Sequence, residues 1–166
     1  MRIRKILYNL RKKEAKKISS RIVEKIGISI FGEMKKMVFD SLSIILVDDE
    51  PLIVEYDNDY YLSVYGVLKF KPKKGRVVVD EGAKKFILNG ADVMRPGITY
   101  ADPEIKKNEF VYVEVENSIP IAVGIALMDG SEMLIKERGK AVKNIHYVGD
   151  KIWNFLFNEG LLSNFS

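Results

Sequence analysis

The stretch VVVDEGAKKFILNGADVMRPGI, residues 77 to 98, predicts a strand, a helix and a sharp bend in quick succession. The valines predict a short strand over residues 76 to 79, and DEGAKKFILNG predicts a helix of about two turns. Gly90 suits the left-handed backbone position at the C-terminal end of such a helix. The residues that follow, ADVMRPGI, are therefore expected to leave the helix in a new direction.

We call this bend, residues 89 to 98, the elbow. It holds Gly90 and Gly97, which lack side chains, and Pro96, which fixes its own φ angle. We expect a stiff loop that another backbone can approach closely, with Arg95 projecting from it. Such an arginine can bind phosphate at two points or stack on a base. The alternative is a tight loop whose glycines only shape the corners of the fold.

The rest of the second half predicts mainly strands. In EFVYVEVEN, residues 109 to 117, valines alternate with polar or aromatic residues, which is typical of a half-buried strand. IAVGIALM predicts a more deeply buried strand, and a short helix or turn is expected over residues 131 to 136. NIHYV and KIWNFLF are predicted as two final strands joined at Gly149 and Asp150. Several short strands with one helix indicate a compact β-barrel.

The first half predicts a small α+β unit. A strand is expected over residues 2 to 8, and a helix capped by Asn9 should run to about Lys25. Its apolar face is formed by Ala15, Ile18, Ile22 and Ile26. Further strands are predicted over residues 37–40, 44–47 and 52–56. The apolar-free segment KPKKGR, residues 71 to 76, indicates a connection, so we predict an N-terminal domain at 1–72, a barrel at 76–157 and a tail at 158–166.

Charge is segregated along the chain, whose net charge is +4. Residues 1 to 36 hold twelve Lys or Arg and three Glu, whereas residues 37 to 68 hold seven acids and no base. The basic helix is either a solvated face or a surface for an anionic partner. Its cations are Lys12, Lys13, Lys16, Lys17, Arg21 and Lys25.

Residues suited to catalysis or metal binding are scarce. The chain has no cysteine and one histidine, which excludes disulfides and cysteine-ligated metals. ERGKAV fails as a phosphate-binding loop because Leu134 and Ala141 stand where glycine and Ser/Thr are required. His146 is expected to be a packed core residue, and DDE before Pro51 a hairpin turn. We therefore predict a non-enzymatic protein without cofactor or metal site. Since no membrane-spanning run or signal peptide is visible, we expect it in the cytoplasm.

Four blocks of the second half occur in order with compatible spacing: residues 77–98, then IAVGIALM, GKAV and IHYVGDKIW. Together they resemble the PUA domain, an RNA-binding module. The resemblance implies a pseudo-barrel that binds RNA between its first helix, the loop after it and the last strands. One side would be lined by Lys84, Lys85, Gly90, Ala91, Met94, Arg95, Pro96 and Gly97. The other would involve Lys151 and Trp153, although half-buried barrel packing is the favoured interpretation of Trp153.

The first half narrows the resemblance. A basic helix, DDEPLIVEY and YLSVYGVLKFKP leading into the barrel are similar to the malignant T-cell amplified sequence protein and ligatin, with the compact style of an archaeal member. That family implies binding of rRNA or tRNA in translation, with the small ribosomal subunit and an initiation-factor-like protein as partners. Two alternatives remain open. One is an RNA-docking subunit of an RNA-modification enzyme such as a tRNA-guanine transglycosylase or pseudouridine synthase; the other is a protein-interaction module that uses the acidic stretch.

Overall fold

The computed structural model describes residues 6 to 162, and of Ile6 only the backbone. Two sheets and five helices make up this part of the chain. The strands are β1 (Ile6–Asn9), β2 (Met34–Val38), β3 (Ser43–Val47), β4 (Glu50–Tyr56), β5 (Asp59–Leu62), β6 (Arg76–Val79), β7 (Val93–Met94), β8 (Ile98–Ala101), β9 (Phe110–Val115), β10 (Pro120–Ala126) and β11 (Lys140–Tyr147). The helices are α1 (Lys12–Ile26), α2 (Val64–Phe70), α3 (Glu81–Ile87), α4 (Gly130–Ile135) and α5 (Lys151–Asn158).

The first sheet is an antiparallel meander in the order β1-β2-β3-β4-β5. Its last hairpin, β4 to β5, turns at Asp57 and Asn58, which both have positive φ. Asp and Asn tolerate that backbone better than most residues because their short polar side chains bond locally. Strand β5 and helix α2 were not predicted from the sequence. The expected strands lie within one to three residues of β2, β3 and β4.

Helix α1 buries Ile18 and Ile22 completely and Ala15 and Ile26 in part, so its predicted apolar face is confirmed. Its predicted start is wrong. Asn9 pairs with Lys35 in the β1–β2 ladder, which keeps the chain extended through that position. The N-cap is Arg11, and the residues predicted as strand before Ile6 lie outside the described part.

The second sheet has the order β7-β11-β10-β9-β6-β8 and curls into a nearly closed barrel. Strand β6 runs parallel to β9, and the other pairs are antiparallel. Helix α3 follows β6 because Asp80 caps it: its carboxylate accepts a hydrogen bond of 2.9 Å from the N–H of Ala83. The expected turn or short helix after β10 is α4. The predicted α+β architecture with a C-terminal barrel is confirmed.

The prediction that KIWNFLF is a strand is wrong, because these residues form α5. The Asp150 carboxylate accepts a hydrogen bond of 2.7 Å from the N–H of Trp153, which caps a helix start. Buried residues at 152, 153 and 156 follow helical spacing and not the alternation of a strand. The apolar composition suits either structure, so the cap and the tertiary packing decide.

Strand β9 is buried on both faces, and the half-buried prediction is therefore wrong. Val111, Val113 and Val115 fill the barrel interior. Phe110 and Tyr112 point the other way and join the hydrophobic core of the first sheet. Buried side chains of α5 enter the same core: Ile152, Trp153 and Leu156. The two halves of the chain therefore share one continuous apolar interface, and the domain limits given above stay a prediction.

Candidate nucleic-acid interface

The elbow begins where α3 ends, and its first bend depends on Gly90. This residue has φ of +92°, a conformation that side chains disfavour. A Cβ built on it would lie 3.1 Å from the hydroxyl oxygen of Tyr147 on β11. The space that we expected a partner backbone to use in that direction is thus already filled by Tyr147. Glycine at position 90 is therefore explained by packing within the protein and not by the approach of a ligand.

Gly97 is required for a different reason. Its φ is not in the left-handed range, but an added Cβ would lie 3.0 Å from the Cβ of Ala83 on α3. The carbonyl of Gly97 also accepts a hydrogen bond of 2.9 Å from the N–H of Asp80. The missing side chain therefore lets the elbow pack against the first turn of α3. As at Gly90, the expected close approach of an external backbone is replaced by close packing within the protein.

Asn144 of β11 holds the first part of the elbow in place. Its amide Nδ2 donates to the carbonyls of Ile87 and Ala91, both at 3.1 Å. Its backbone N–H donates to the carboxylate of Asp92 at 3.0 Å. One asparagine of β11 thus binds both the end of α3 and the elbow. The sequence analysis missed Asn144, since a single polar residue in a strand carries no distinctive signal.

Arg95 does not project from the elbow, and that expectation is wrong. Its Nη1 donates to the carbonyl of Ile98 and its Nη2 to the carbonyl of Leu134 at the end of α4, both at 3.3 Å. The backbone N–H of Arg95 donates to the carbonyl of Gly139 at 2.8 Å. The side chain therefore lies across the surface and joins the elbow to α4. Backbone carbonyls are good acceptors for the guanidinium, and a sequence cannot reveal that these two lie within its reach.

Cationic and apolar side chains surround the elbow. Lys85 is exposed and Lys84 half-buried on α3, and among residues 6–162 neither has a carboxylate within 4.0 Å. Lys140, which pairs with Met94 across β11 and β7, is 65% exposed and lies 3.6 Å from Asp92. Large apolar side chains are exposed nearby on α3, the elbow and the end of α4: Phe86, Met94, Leu134 and Ile135. The sequence analysis predicted Lys84, Lys85 and Met94 as site residues and missed Lys140 and the other three apolar side chains.

The predicted second side of the interface is not formed as expected. Trp153 is only 9% exposed and packs into the core shared with the first sheet, so its ring faces are not presented to solvent. The packing interpretation of Trp153 is the correct one. Lys151 is exposed, but it stands at the first turn of α5 and not on a barrel strand. Ala91 and Pro96 are exposed on the elbow, as the prediction requires.

His146 is buried, as expected, and it braces the turn between β11 and α5. Its Nδ1 lies 2.7 Å from the carboxylate of Asp150, which also accepts from the N–H groups of Tyr147 and Trp153. Burial alone would raise the pKa of Asp150, but the charge and hydrogen bond of His146 outweigh it, so the pKa lies below its ordinary value. This arrangement fixes backbone geometry and offers no substrate-facing base.

Metal-binding clusters and membrane-spanning helices were also sought among the described residues. The described residues contain no group of three or more His, Cys, Asp or Glu arranged to hold a metal ion. Asp48 and Asp49 adopt positive φ in the turn between β3 and β4, which confirms the hairpin interpretation of DDE. No helix in the described part of the chain is both long and apolar enough to cross a membrane.

The acidic stretch between residues 37 and 68 is largely neutralised within the protein. Four of its seven carboxylates form ion pairs with lysine or arginine: Asp49 with Lys35, Glu50 with Lys69, Glu55 with Lys36, and Asp59 with Arg21 and Lys25. A partner that needed these charges would first have to break pairs that already exist. The protein-interaction alternative thus loses most of the acidic surface on which it was based.

Comparisons with known proteins agree with this architecture. The family model for the PUA domain matches residues 75–148, and the model described as a domain of unknown function (DUF1947) matches residues 7–70. The chain belongs to the family of RNA-binding PUA-domain proteins that carry this N-terminal domain, which also includes translation machinery-associated protein 20 and malignant T-cell-amplified sequence proteins. The predicted family resemblance is confirmed.

Three relatives show how far the likeness extends. An uncharacterized protein of Methanocaldococcus jannaschii is 49% identical over 162 residues, covering 93% of this chain and 99% of that protein. Translation machinery-associated protein 20 of Saccharomyces cerevisiae is 33% identical over 123 residues, covering 70% and 68%. The crystal structure of a hypothetical protein from Pyrococcus horikoshii is 41% identical with a TM-score of 0.80, covering 90% of this chain and 99% of that chain.

A more distant likeness concerns an enzyme. The tRNA-guanine(15) transglycosylase of Pyrococcus furiosus is 38% identical over 76 residues. The match covers 46% of this chain but only 13% of that enzyme. Most of the enzyme therefore has no counterpart here, and its activity does not transfer with the match.

Proposed function

We propose that the protein binds structured RNA of the translation machinery, rRNA or tRNA, without catalysing a reaction. The observation that carries the proposal is the elbow, which is fixed between α3, α4 and β11 and bordered by cations. Lys84, Lys85 and Lys140 lie around it, and among these three only Lys140 has a carboxylate of the described residues within 4.0 Å of its ammonium group. A rigid loop with unpaired cations binds phosphate without having to order itself first.

Exposed apolar groups beside the elbow suit the bases of RNA. Phe86 is 57% exposed and Met94 47% exposed. Structured RNA is recognised largely through its shape and through bases that stack on exposed side chains. The proposed interface therefore consists of the cations on α3, the elbow residues 89 to 98, and these two side chains. The small ribosomal subunit and an initiation-factor-like protein are the proposed partners, which places the protein in the cytoplasm.

Arg95 has a different role in this proposal from the one expected. Because both of its terminal nitrogens bond to carbonyls within the protein, it shapes the interface and contributes positive charge without extending toward the ligand. We expect Arg95→Lys to weaken binding because lysine cannot bridge two carbonyls in a plane.

The test is a binding titration with a matched control. Labelled tRNA and a small-subunit rRNA fragment would be titrated with wild type, with Lys84→Gln/Lys85→Gln, and with Lys106→Gln/Lys107→Gln. The control pair carries the same charge and is exposed at both positions, but lies in the loop after β8. The α3 variant should bind more weakly and lose about 0.7 to 0.9 of slope in log K against log salt per phosphate contact removed. Equal binding by the two variants would contradict the proposal.

The alternative, an RNA-docking subunit for a modification enzyme, is favoured by the match to the tRNA-guanine(15) transglycosylase. Both proposals predict RNA binding at the elbow, so binding alone does not separate them. Purification of the native protein with its associated molecules does. Ribosomal subunits or an initiation-factor-like protein in the complex support the first proposal, and a modification enzyme supports the second.

A further inference from the structure

Helix α1 presents a row of four lysines on its outer face. Lys12, Lys13, Lys16 and Lys17 are all exposed. They form two adjacent pairs about one helical turn apart, on the side away from the buried Ile18 and Ile22. We call these four residues the lysine row. The helix is anchored through its apolar face, so the row is held on a fixed support.

The cations of α1 divide into two groups. Arg21 and Lys25 both bond to the carboxylate of Asp59, at 2.8 to 3.1 Å. Burial alone would raise the pKa of Asp59, yet the hydrogen bonds from these two cations lower it to about 2. The lysine row is different: within residues 6–162, no carboxylate lies within 4.0 Å of any of its ammonium groups.

The lysine row ends where the cations of α1 begin to be paired with carboxylates. A depression of about 250 Å³ begins at Lys17, which lines it together with residues that include Ser20, Arg21, Glu24 and Asp59. Arg21 bonds to both of these carboxylates, at 3.3 Å to Glu24 and 3.0 Å to Asp59. A polyanion would gain little there, so the surface that attracts negative charge is confined to the first half of the helix.

The chemistry of the row favours a phosphate backbone. Lysines are flexible point charges that bind phosphates without selecting a sequence. Successive pairs such as Lys13 and Lys17 are separated by about 6 Å along the helix axis, given a rise of about 1.5 Å per residue. Insertion into a membrane requires an apolar face, and Ile18 and Ile22 are buried in the protein core. The row therefore fits a hydrophilic polyanion.

We propose that Lys12, Lys13, Lys16 and Lys17 form a second RNA contact, which binds phosphates of the same RNA that the elbow recognises. The proposal rests on the proposed function, because it takes RNA as the ligand, but it assigns a separate role to the N-terminal domain. A second contact on one polyanion raises affinity through effective concentration without adding sequence preference. The elbow then supplies recognition and the row supplies additional, salt-dependent affinity.

Two double variants test the row: Lys12→Gln/Lys16→Gln and Lys13→Gln/Lys17→Gln. Glutamine preserves helix propensity and removes charge, and circular dichroism would verify that α1 remains folded. The probes are labelled tRNA and a small-subunit rRNA fragment, titrated over a series of potassium chloride concentrations. Each double variant should lower the slope of log K against log salt by about 1.4 to 1.8, the release expected for two phosphate contacts. Lys106→Gln/Lys107→Gln again serves as the control.

The outcomes separate the two proposals. If the α1 variants behave like the control while Lys84→Gln/Lys85→Gln loses binding, the row is a solvated face and only this inference fails. If the α1 variants lose slope and the α3 variant does not, the row stands and the elbow proposal fails. Polyglutamate of equal charge provides a third arm: competition as strong as that of unlabelled RNA would overturn RNA as the ligand and indicate an acidic protein segment.

Discussion

A Cβ on Gly90 would lie 3.1 Å from the hydroxyl oxygen of Tyr147, so the elbow and β11 are packed to the limit of contact at this point. Gly149 has nearly the same backbone, with φ of +90° against +92°, but nothing lies within 4 Å of its added Cβ. The two glycines share a conformational demand and differ in their surroundings. They therefore form a natural pair for experiment.

Gly90→Ala should destabilise the protein more than Gly149→Ala. Both changes place a side chain in the left-handed region, at a cost of roughly 1 to 2 kcal/mol. Only Gly90→Ala adds a clash with Tyr147, and relief of that clash moves the elbow. We expect the urea midpoint to fall further for Gly90→Ala than for Gly149→Ala. RNA binding should weaken in Gly90→Ala and stay unchanged in Gly149→Ala. Equal effects of the two variants on binding would show that elbow position does not matter.

Asn144→Ala should loosen the elbow. It removes the side-chain donor from the carbonyls of Ile87 and Ala91. Because one bond is partly buried and the other exposed, the loss of stability should be modest, about 1 kcal/mol. Hydrogen exchange of the backbone amides between residues 88 and 95 should accelerate. Asn154→Ala is the control, because it removes one exposed bond of 3.1 Å to the carbonyl of Gly149. Unchanged amide exchange in Asn144→Ala would show that Asn144 does not hold the elbow in place.

Asp59 should make stability depend on acid pH. Its pKa falls from 3.8 to about 2 on folding, so its contribution is complete above the unfolded pKa and is lost as pH falls toward 2. This shift corresponds to about 2 kcal/mol in the free energy of unfolding. Asp59→Asn should lower stability by about that amount at pH 7 and by much less near pH 2. Urea titrations of wild type and Asp59→Asn at pH 7 and near pH 2 measure this difference in the free energy of unfolding.

The control for Asp59 lies in the same hairpin. Asp57 is exposed, has positive φ and forms no ion pair among the described residues. Asp57→Asn keeps a residue that tolerates this backbone, so its stability should follow wild type at every pH. A pH dependence in Asp59→Asn equal to that of wild type would contradict the assigned role of the Arg21–Asp59–Lys25 cluster.

The two halves of the chain should unfold together. Val123 of β10 belongs to the core shared with the first sheet, whereas Val77 of β6 belongs to the barrel interior. Both are fully buried, and either change to alanine should cost about 2 kcal/mol or more. We expect each variant to lower the temperature of one single calorimetric transition. Fluorescence of Trp153 should report the same midpoint as far-ultraviolet circular dichroism.

Separate transitions would contradict this coupling. If Val77→Ala moved only one of two transitions while Trp153 fluorescence followed the other, the shared core would contribute little to stability. The result bears on function, because a rigid connection fixes the distance between the elbow and the lysine row. A flexible connection would leave each surface to bind on its own.

Local chemistry explains the successful predictions from the sequence. The apolar face of α1, the helix α3 with its glycine-rich exit, and the ordered blocks of the PUA domain depend on residues close together in the chain. Periodicity and capping act over a few residues, so they can be seen without a structure. The elbow is likewise found where these local signals predict a bend, and its role as a site for RNA stays a prediction.

Tertiary contacts explain most of the errors. KIWNFLF has the composition of a buried strand. The Asp150 cap is a local helix signal that the sequence analysis missed, whereas the shared core that encloses Trp153 is a tertiary contact. Arg95 turns back because carbonyls of residues 98 and 134 lie within its reach. Asn144 bonds to the elbow and to the end of α3 because β11 passes beside them in the folded chain.

The sequence by itself determined the α+β class with its C-terminal barrel, the family and the segregation of charge, since each is a property of neighbouring residues or of a linear pattern. Only the tertiary structure decided which charges remain available. Asp59 lies 38 positions from Arg21 and 34 from Lys25, yet folding brings the three together and leaves the lysine row unpaired within residues 6–162. Ion pairs and buried faces are relations between distant residues, and chain folding, not composition, sets those distances.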